Sequence, residues 1–134
     1  MIGTAKEFVH LRTSERPEEY LRAATESAPL EVWLEVLQQY PDMKGWVAHN
    51  KTIPMRILEC LALDPDPFVR AAVAAKNKLS EELMLNLARD SDLSVRERIA
   101  QNKNASVAVL RVLVQDSDVS ISQAARHQLS LRGK

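Results

Sequence analysis

The sequence predicts an all-α fold: a right-handed α-solenoid of stacked helical hairpins with a helical cap at its N-terminus. Two observations predict it. First, a heptapeptide recurs at a fixed step of 26 residues: DPDPFVR from Asp64 to Arg70, DSDLSVR from Asp90 to Arg96, and the weaker DSDVSIS from Asp116 to Ser122. A period of this size marks a repeat protein in which each unit stacks on its neighbours. Second, apolar positions keep the same step: Ile57, Leu83 and Val109; Leu58, Met84 and Leu110; Leu61, Leu87 and Leu113; Val69, Val95 and Ile121; Val47, Val73 and Ile99. Within a unit, Ile57, Leu58 and Leu61 have the i, i+1, i+4 spacing of one helical face, and Val69, Ala72 and Val73 form another. Each unit is therefore two short helices, A and B, joined at the Asp motif. Neither buries its apolar side alone.

The elements follow in order. Thr4 and Glu7 read as a capping box that opens a helix to about residue 12. Pro17, backed by Glu18 and Glu19, starts a second helix running to about residue 26. Ser27, Pro29 and Glu31 open a third, which ends before Pro41 and reads as a degenerate A helix. In it Trp33, Leu34 and Leu37 align with Ile57, Leu58 and Leu61 at a step of 24, and residues 43–49 form its short B helix. Regular A helices are expected at roughly 54–63, 80–89 and 106–115, and B helices at roughly 67–75, 93–101 and 119–131. Asp66, Asp92 and Asp118 read as B-helix N-caps. Asn50, Asn77 and Asn102 are expected at B-to-A turns in a left-handed C-terminal conformation. The organisation expected is one domain over 1–134: capping helices 1–28, a degenerate repeat 29–50, and regular repeats 51–76, 77–102 and 103–131.

Bulk properties narrow the function class. The 134 residues are 46% apolar and 27% charged, with zero net charge, which is ordinary for a globular domain. The charge is uneven: residues 1–45 carry eight acids against five bases, so −3, and the remainder is +3. That is no nucleic-acid-type basic excess. Cys60 stands alone, so no internal disulfide or cysteine metal cluster forms. There is no apolar run near the ~20 residues of a membrane span and no signal-type N-terminal segment. A cytoplasmic protein is expected.

The repeats resemble the leucine-rich repeat variant family, with kinship to HEAT-like helical repeats. The resemblance covers about residues 29–131. It rests on Asn50-Lys51 through Pro54, then Leu58, Leu61, Ala62, Asp64, Asp66, Val69 and Arg70, recurring in 74–96 and, with Ser122 in place of the Arg, in the third unit. It implies a helical solenoid and is nearly silent on activity. The iron–sulfur cluster associated with one member needs several cysteines, so that attribute does not carry over. No cofactor and no metal are expected: His10, His49 and His127 have no metal-ligand spacing. Nor is there a GxSxG motif, a phosphate loop, or a Cys–His or paired-acid constellation, so the chain is not read as an enzyme.

The candidate partner-binding residues are Trp46, His49, Asp64, Arg70, Asp90, Arg96, Arg98, Gln101, Asp116 and His127. Along the exposed B-helix face, the usual recognition surface of such solenoids, the 26-residue step gives rows of His49, Ala75, Gln101, His127 and of Trp46, Ala72, Arg98, Ala124. Trp46 is read either as the wall of a groove or as packed beneath the N-terminal helices. The row holding Arg70 and Arg96 is read either as partner-facing or as a structural ladder, with pairs Asp66–Arg70 and Asp92–Arg96 at i, i+4. Asp64, Asp90 and Asp116 oppose the dipoles of the A helices they follow, so they need a bond to a neighbouring turn or to a partner. A docking role predicts that reversing Asp90 and Asp116 weakens the complex while leaving helicity intact. The Lys- and Asn-bearing opposite edge (Asn50, Lys51, Lys76, Asn77, Lys78, Asn102, Lys103, Asn104) reads as solvated turns or, alternatively, a phosphate-binding edge.

The expected function is a non-enzymatic protein-binding α-solenoid that is monomeric on its own. Its most concrete form is a bacterial cytoplasmic inhibitor, an immunity protein or antitoxin, that occludes the functional site of a basic toxin or nuclease. The alternatives are a nucleic-acid-binding HEAT-like protein, as in DNA alkylation-repair glycosylases, and a generic scaffold or adaptor. Aromatic interleaving on a basic face is missing for the first of these, and no membrane partner is expected.

Overall fold

The computed structural model describes residues 1–133, and among them every regular element is helical. No helix among the described residues is long and apolar enough to cross a membrane. The chain divides into two compact units, Met1–Leu61 and a second that begins at Ala62.

In the first unit α1 spans Ala5–Thr13, α2 Pro17–Thr25, α3 Leu30–Gln39, α4 Lys44–His49 and α5 Met55–Leu61, with a 3-10 turn at Pro41–Met43. Thr4 caps α1: its Oγ1 accepts the Glu7 N–H at 3.0 Å, and Glu7 Oε1 accepts the Gly3 N–H at 2.7 Å. The return bond lands one residue before the cap and satisfies a donor outside the helix. Pro17 stands at the first turn of α2, where a missing N–H leaves nothing unpaired. α1 packs on α2 and α3, α3 on α4, and α4 on α5. The core here is Phe8, Leu11, Trp33, Val36 and Val47. The Phe8 and Trp33 rings meet edge to face at 5.2 Å and 79°.

α3 corrects the expected register. Val32, Trp33 and Val36 are buried, whereas Leu34 is exposed. The face therefore aligns with Ile57, Leu58 and Leu61 at a step of 25, not 24.

The second unit holds α6 (Pro67–Ala74), α7 (Glu81–Ala88), α8 (Leu93–Gln101), α9 (Val107–Val114) and α10 (Val119–Arg132). α6, α8 and α10 pack in sequence as one layer, and α7 and α9 pack on each other as a second. The buried faces are those the apolar register names: Val69, Val73, Leu83, Met84, Leu87, Val95, Ile99, Val109, Leu110, Leu113 and Ile121. Each of the larger side chains contributes about 1.5–3 kcal/mol by leaving water. Asp66, Asp92 and Asp118 are N-caps as expected, accepting the N–H groups of Phe68, Ser94 and Ile121. Ser80 and Ser106 cap α7 and α9 in the same way, which the sequence reading did not single out. The polar tail of α10 is tied down, since Arg132 donates to the carbonyls of Ala105 and Lys103.

Candidate functional site

The arginines of the repeated motif do not make the i, i+4 pairs expected of them. Arg70 reaches Asp90, with Nε to Oδ2 at 2.8 Å and Nη2 to Oδ1 at 3.1 Å, while its Nη1 donates to the carbonyls of Asp64 and Pro65. One step later Arg96 repeats the arrangement on Asp116, Nε to Oδ2 at 2.8 Å, and donates Nη1 to the Asp90 carbonyl. The carboxylates of Asp66 and Asp92 are occupied in capping their own helices, so each arginine extends to the next motif instead. Bonding to Asp90 raises the Arg70 pKa, with Asp92 and Asp64 adding to the field. Asp64, Asp90 and Asp116 also accept the backbone N–H two residues on, from Asp66, Asp92 and Asp118. This supplies the reason those acids needed at helix C-termini. Four of the candidate partner-binding residues, Arg70, Asp90, Arg96 and Asp116, are thus joined in two rungs inside the second unit.

The asparagine reading also changes. Among the described residues none has positive φ, glycines included, and Asn50 and Asn102 are extended at φ −61° and −71°. Both are buried and bridge turns. Asn50 Nδ2 donates to the carbonyls of Ala23 and Glu26 at 2.8 and 2.9 Å. Asn102 Nδ2 donates to those of Ala74 and Lys76 at 3.0 and 2.8 Å, and its Oδ1 accepts the Asn104 N–H. Asn77 lies one residue out of this register and is exposed, with its carbonyl accepting from Asn104 Nδ2.

Trp46 is neither buried beneath the N-terminal helices nor loose. It is 42% exposed, and the Arg12 guanidinium lies 3.6 Å from its ring centroid. The His49 ring meets it edge-on at 5.9 Å, and Arg12 also lies 5.9 Å from the ring centroid of Tyr20, itself part-exposed. Stacking of Arg on Trp holds both planar groups in one geometry at the surface, so little freedom remains to be lost on binding. Arg, Trp and Tyr are the residue types that dominate protein-binding hot spots. Two candidate residues, Trp46 and His49, are brought together here. Arg12 and Tyr20 join them from α1 and α2, more than twenty positions away, where no spacing rule reaches.

Arg98 and Gln101 lie on α8 and line an open recess of about 260 Å³ with Ala75, Asn77, Asn102 and Lys103. His127 is exposed on α10. Cys60 is a free, exposed thiol, and no group of three His, Cys, Asp or Glu among the described residues is placed to hold a metal ion. Sequence reasoning also missed Leu63 and Phe68, which stand almost fully exposed beside the first Asp motif. A signal existed: Phe68 falls in register with Ser94 and Ser120. Compared with protein-family models, with curated proteins and with solved structures, the chain gives no match.

Proposed function

We propose that this chain is a non-enzymatic protein-binding module, a solenoid of 26-residue helical hairpins resembling the leucine-rich repeat variants. Its most concrete form is a bacterial cytoplasmic immunity protein that occludes a toxin's functional site. The observation that carries the reading is the Arg12–Tyr20–Trp46–His49 surface in the first unit, a preorganised set of hot-spot side chains. The recurrence of the Arg–Asp rung at the step of the sequence period supports the repeat architecture. The test is affinity capture from the native host with the wild-type chain and with Trp46→Ala. A partner retained only by the wild type is expected, and co-expression with that partner then reports whether the chain neutralises a toxicity. A partner retained equally by both proteins, or substrate turnover traced to this chain, overturns the reading.

A second reading, nucleic-acid binding, draws on the recess that carries Arg98 and Lys103. A salt-dependent mobility shift with short duplex DNA or RNA supports it, and no shift at low salt removes it.

A further inference from the structure

The second unit exposes large apolar side chains where its own repeats show that none is required. Leu63 and Phe68 are 85% and 84% exposed on either side of the Asp64-Pro65-Asp66 turn. Leu93 and Val119, also exposed, are the first residues of α8 and α10, each directly after its capping aspartate. α6 packs on α8 and α8 on α10, and the Arg70–Asp90 and Arg96–Asp116 pairs tie the first turn of one helix to the turn that leads into the next, so the three helix starts stand side by side and these four residues fall along one edge. Scattered exposed apolar residues are ordinary, but a row of them on one edge is a mark of an interaction surface.

Folding does not call for the two largest. What the Asp66 cap uses from Phe68 is its backbone N–H, at 2.9 Å, and Ser94 serves the equivalent cap of α8 equally well. Leu63 falls in register with Arg89 and Gln115. The chain therefore carries serine, arginine and glutamine at these same two repeat positions, and the hydrocarbon at 63 and 68 is free to serve a partner.

The charge of the edge identifies the kind of partner. Six aspartates of the three motifs lie on it against Arg70, Arg89 and Arg96, a balance of −3. Arg70 and Arg96 are turned into Asp90 and Asp116, which leaves the capping carboxylates of Asp66, Asp92 and Asp118 around the apolar row. Asp92 is held below the usual carboxylate range, chiefly by the Ser94 hydroxyl and N–H. An anionic lipid surface is repelled by such an edge, and so is the same edge of a second copy.

We infer that this edge docks a protein segment that presents lysine or arginine beside large apolar side chains, seating the apolar groups on Leu63, Phe68, Leu93 and Val119. The inference rests on the protein-binding reading. Its test uses a defined peptide and a surface in the other unit, so it fails or succeeds separately from the Trp46 experiment.

The probe is a 15-residue amphipathic Leu/Lys peptide, titrated into the full ¹⁵N-labelled chain. A Leu/Glu peptide of the same pattern and a Ser/Lys peptide of the same charge are the controls. The Leu/Lys peptide is expected to bind at least tenfold more tightly than either control and to shift amides at 63–68, 93–94 and 119–120. The variant Leu63→Gln/Phe68→Ser, built from residues the chain itself uses in register, is expected to lose at least fivefold in affinity while its melting curve stays in place. Amide shifts confined to other surfaces, equal binding of the Leu/Glu peptide, or unchanged affinity in the variant each overturns the inference. So does sedimentation showing a dimer that the double variant dissociates, because a second copy is then the occupant. The wild-type shift map decides the matter even where the variant folds poorly.

Discussion

Replacing Asp116 separates a structural carboxylate from a docking one. Its side chain is 6% exposed and that of Arg96 17%, with Nε to Oδ2 at 2.8 Å. At an effective dielectric of ~20, opposite charges about 4 Å apart attract by about 4 kcal/mol, part of which offsets their desolvation. Asp116→Asn keeps an acceptor for the Asp118 N–H but leaves the largely enclosed Arg96 charge without its counter-ion. The expected loss is about 2–3 kcal/mol, below the upper range for fully buried pairs because Arg96 keeps some contact with water. Asp116→Lys places two cations together and is expected to cost about 4 kcal/mol, enough to reduce helicity in a marginally stable domain. The measurement is urea unfolding followed by far-ultraviolet circular dichroism on Arg96→Met, Asp116→Asn and the double variant. A coupling energy of about 1.5–2 kcal/mol is expected from the cycle. Additive single effects, or a loss below about 0.5 kcal/mol for Asp116→Asn, refute the reasoning. Charge reversal at Asp90 or Asp116 is therefore a poor probe of binding, contrary to the expectation that helicity would survive it. The exposed pair Leu63 and Phe68 is the cleaner target.

Two further outcomes follow from the geometry. Asn102→Asp turns a carboxylate toward the carbonyls of Ala74 and Lys76, which receive the amide at 3.0 and 2.8 Å. The new acid's pKa is raised in the fold, so the protein loses stability as pH rises above the ordinary aspartate value of about 4; at pH 7 the loss is about 3–4 kcal/mol, against about 2–3 for Asn102→Ala. A denaturation series between pH 3 and 7 that shows no such trend contradicts the bridging role. Glu26 is the opposite case: the Arg22 guanidinium first, then the N-terminal amine, lower its pKa from 4.5 to about 2. Its contribution is complete above pH 4.5 and disappears as pH falls toward 2, so Glu26→Gln should flatten the acid limb of a pH–stability curve in that window. An unchanged acid limb shows that the pair is too solvated to matter.

The core was legible because a 3.6-residue period and a 26-residue step both had to hold at the same positions, and few sequences satisfy two periods by accident. α3 was harder. Val32, Trp33 and Leu34 are consecutive and apolar, so a single 100° step decides which of them faces inward, and the pattern alone chose wrongly. The Arg–Asp rungs were hidden for a different reason. Sequence spacing put a carboxylate four residues from each arginine, but those carboxylates satisfy orphan N–H groups at helix starts, and the competing acceptors lie twenty residues on. Asn50 and Asn102 sit at turns as expected, yet they serve through their side-chain amides rather than through backbone conformation. The Trp46 cluster joins α1, α2 and α4, which no local rule connects.

Zero net charge conceals a separation of sign in the second unit. Its A-to-B turns carry the six aspartates, whereas its B-to-A turns carry Lys76, Lys78 and Lys103, with Arg98 on the last turn of α8. The two kinds of turn lie at opposite ends of α6 and α8, helices of 8 and 9 residues. At 1.5 Å per residue those ends are ~12–14 Å apart, more than the Debye length of ~8 Å at physiological salt. A partner touching one edge is thus largely screened from the charge on the other. The overall balance says nothing about the sign of the partner, whereas the edge it touches does. A cationic segment on the acidic edge must therefore bind more weakly as salt is raised, even though the whole chain is neutral. An affinity for the Leu/Lys peptide that does not change between 50 and 500 mM salt leaves only the apolar row as its cause and removes charge from the account.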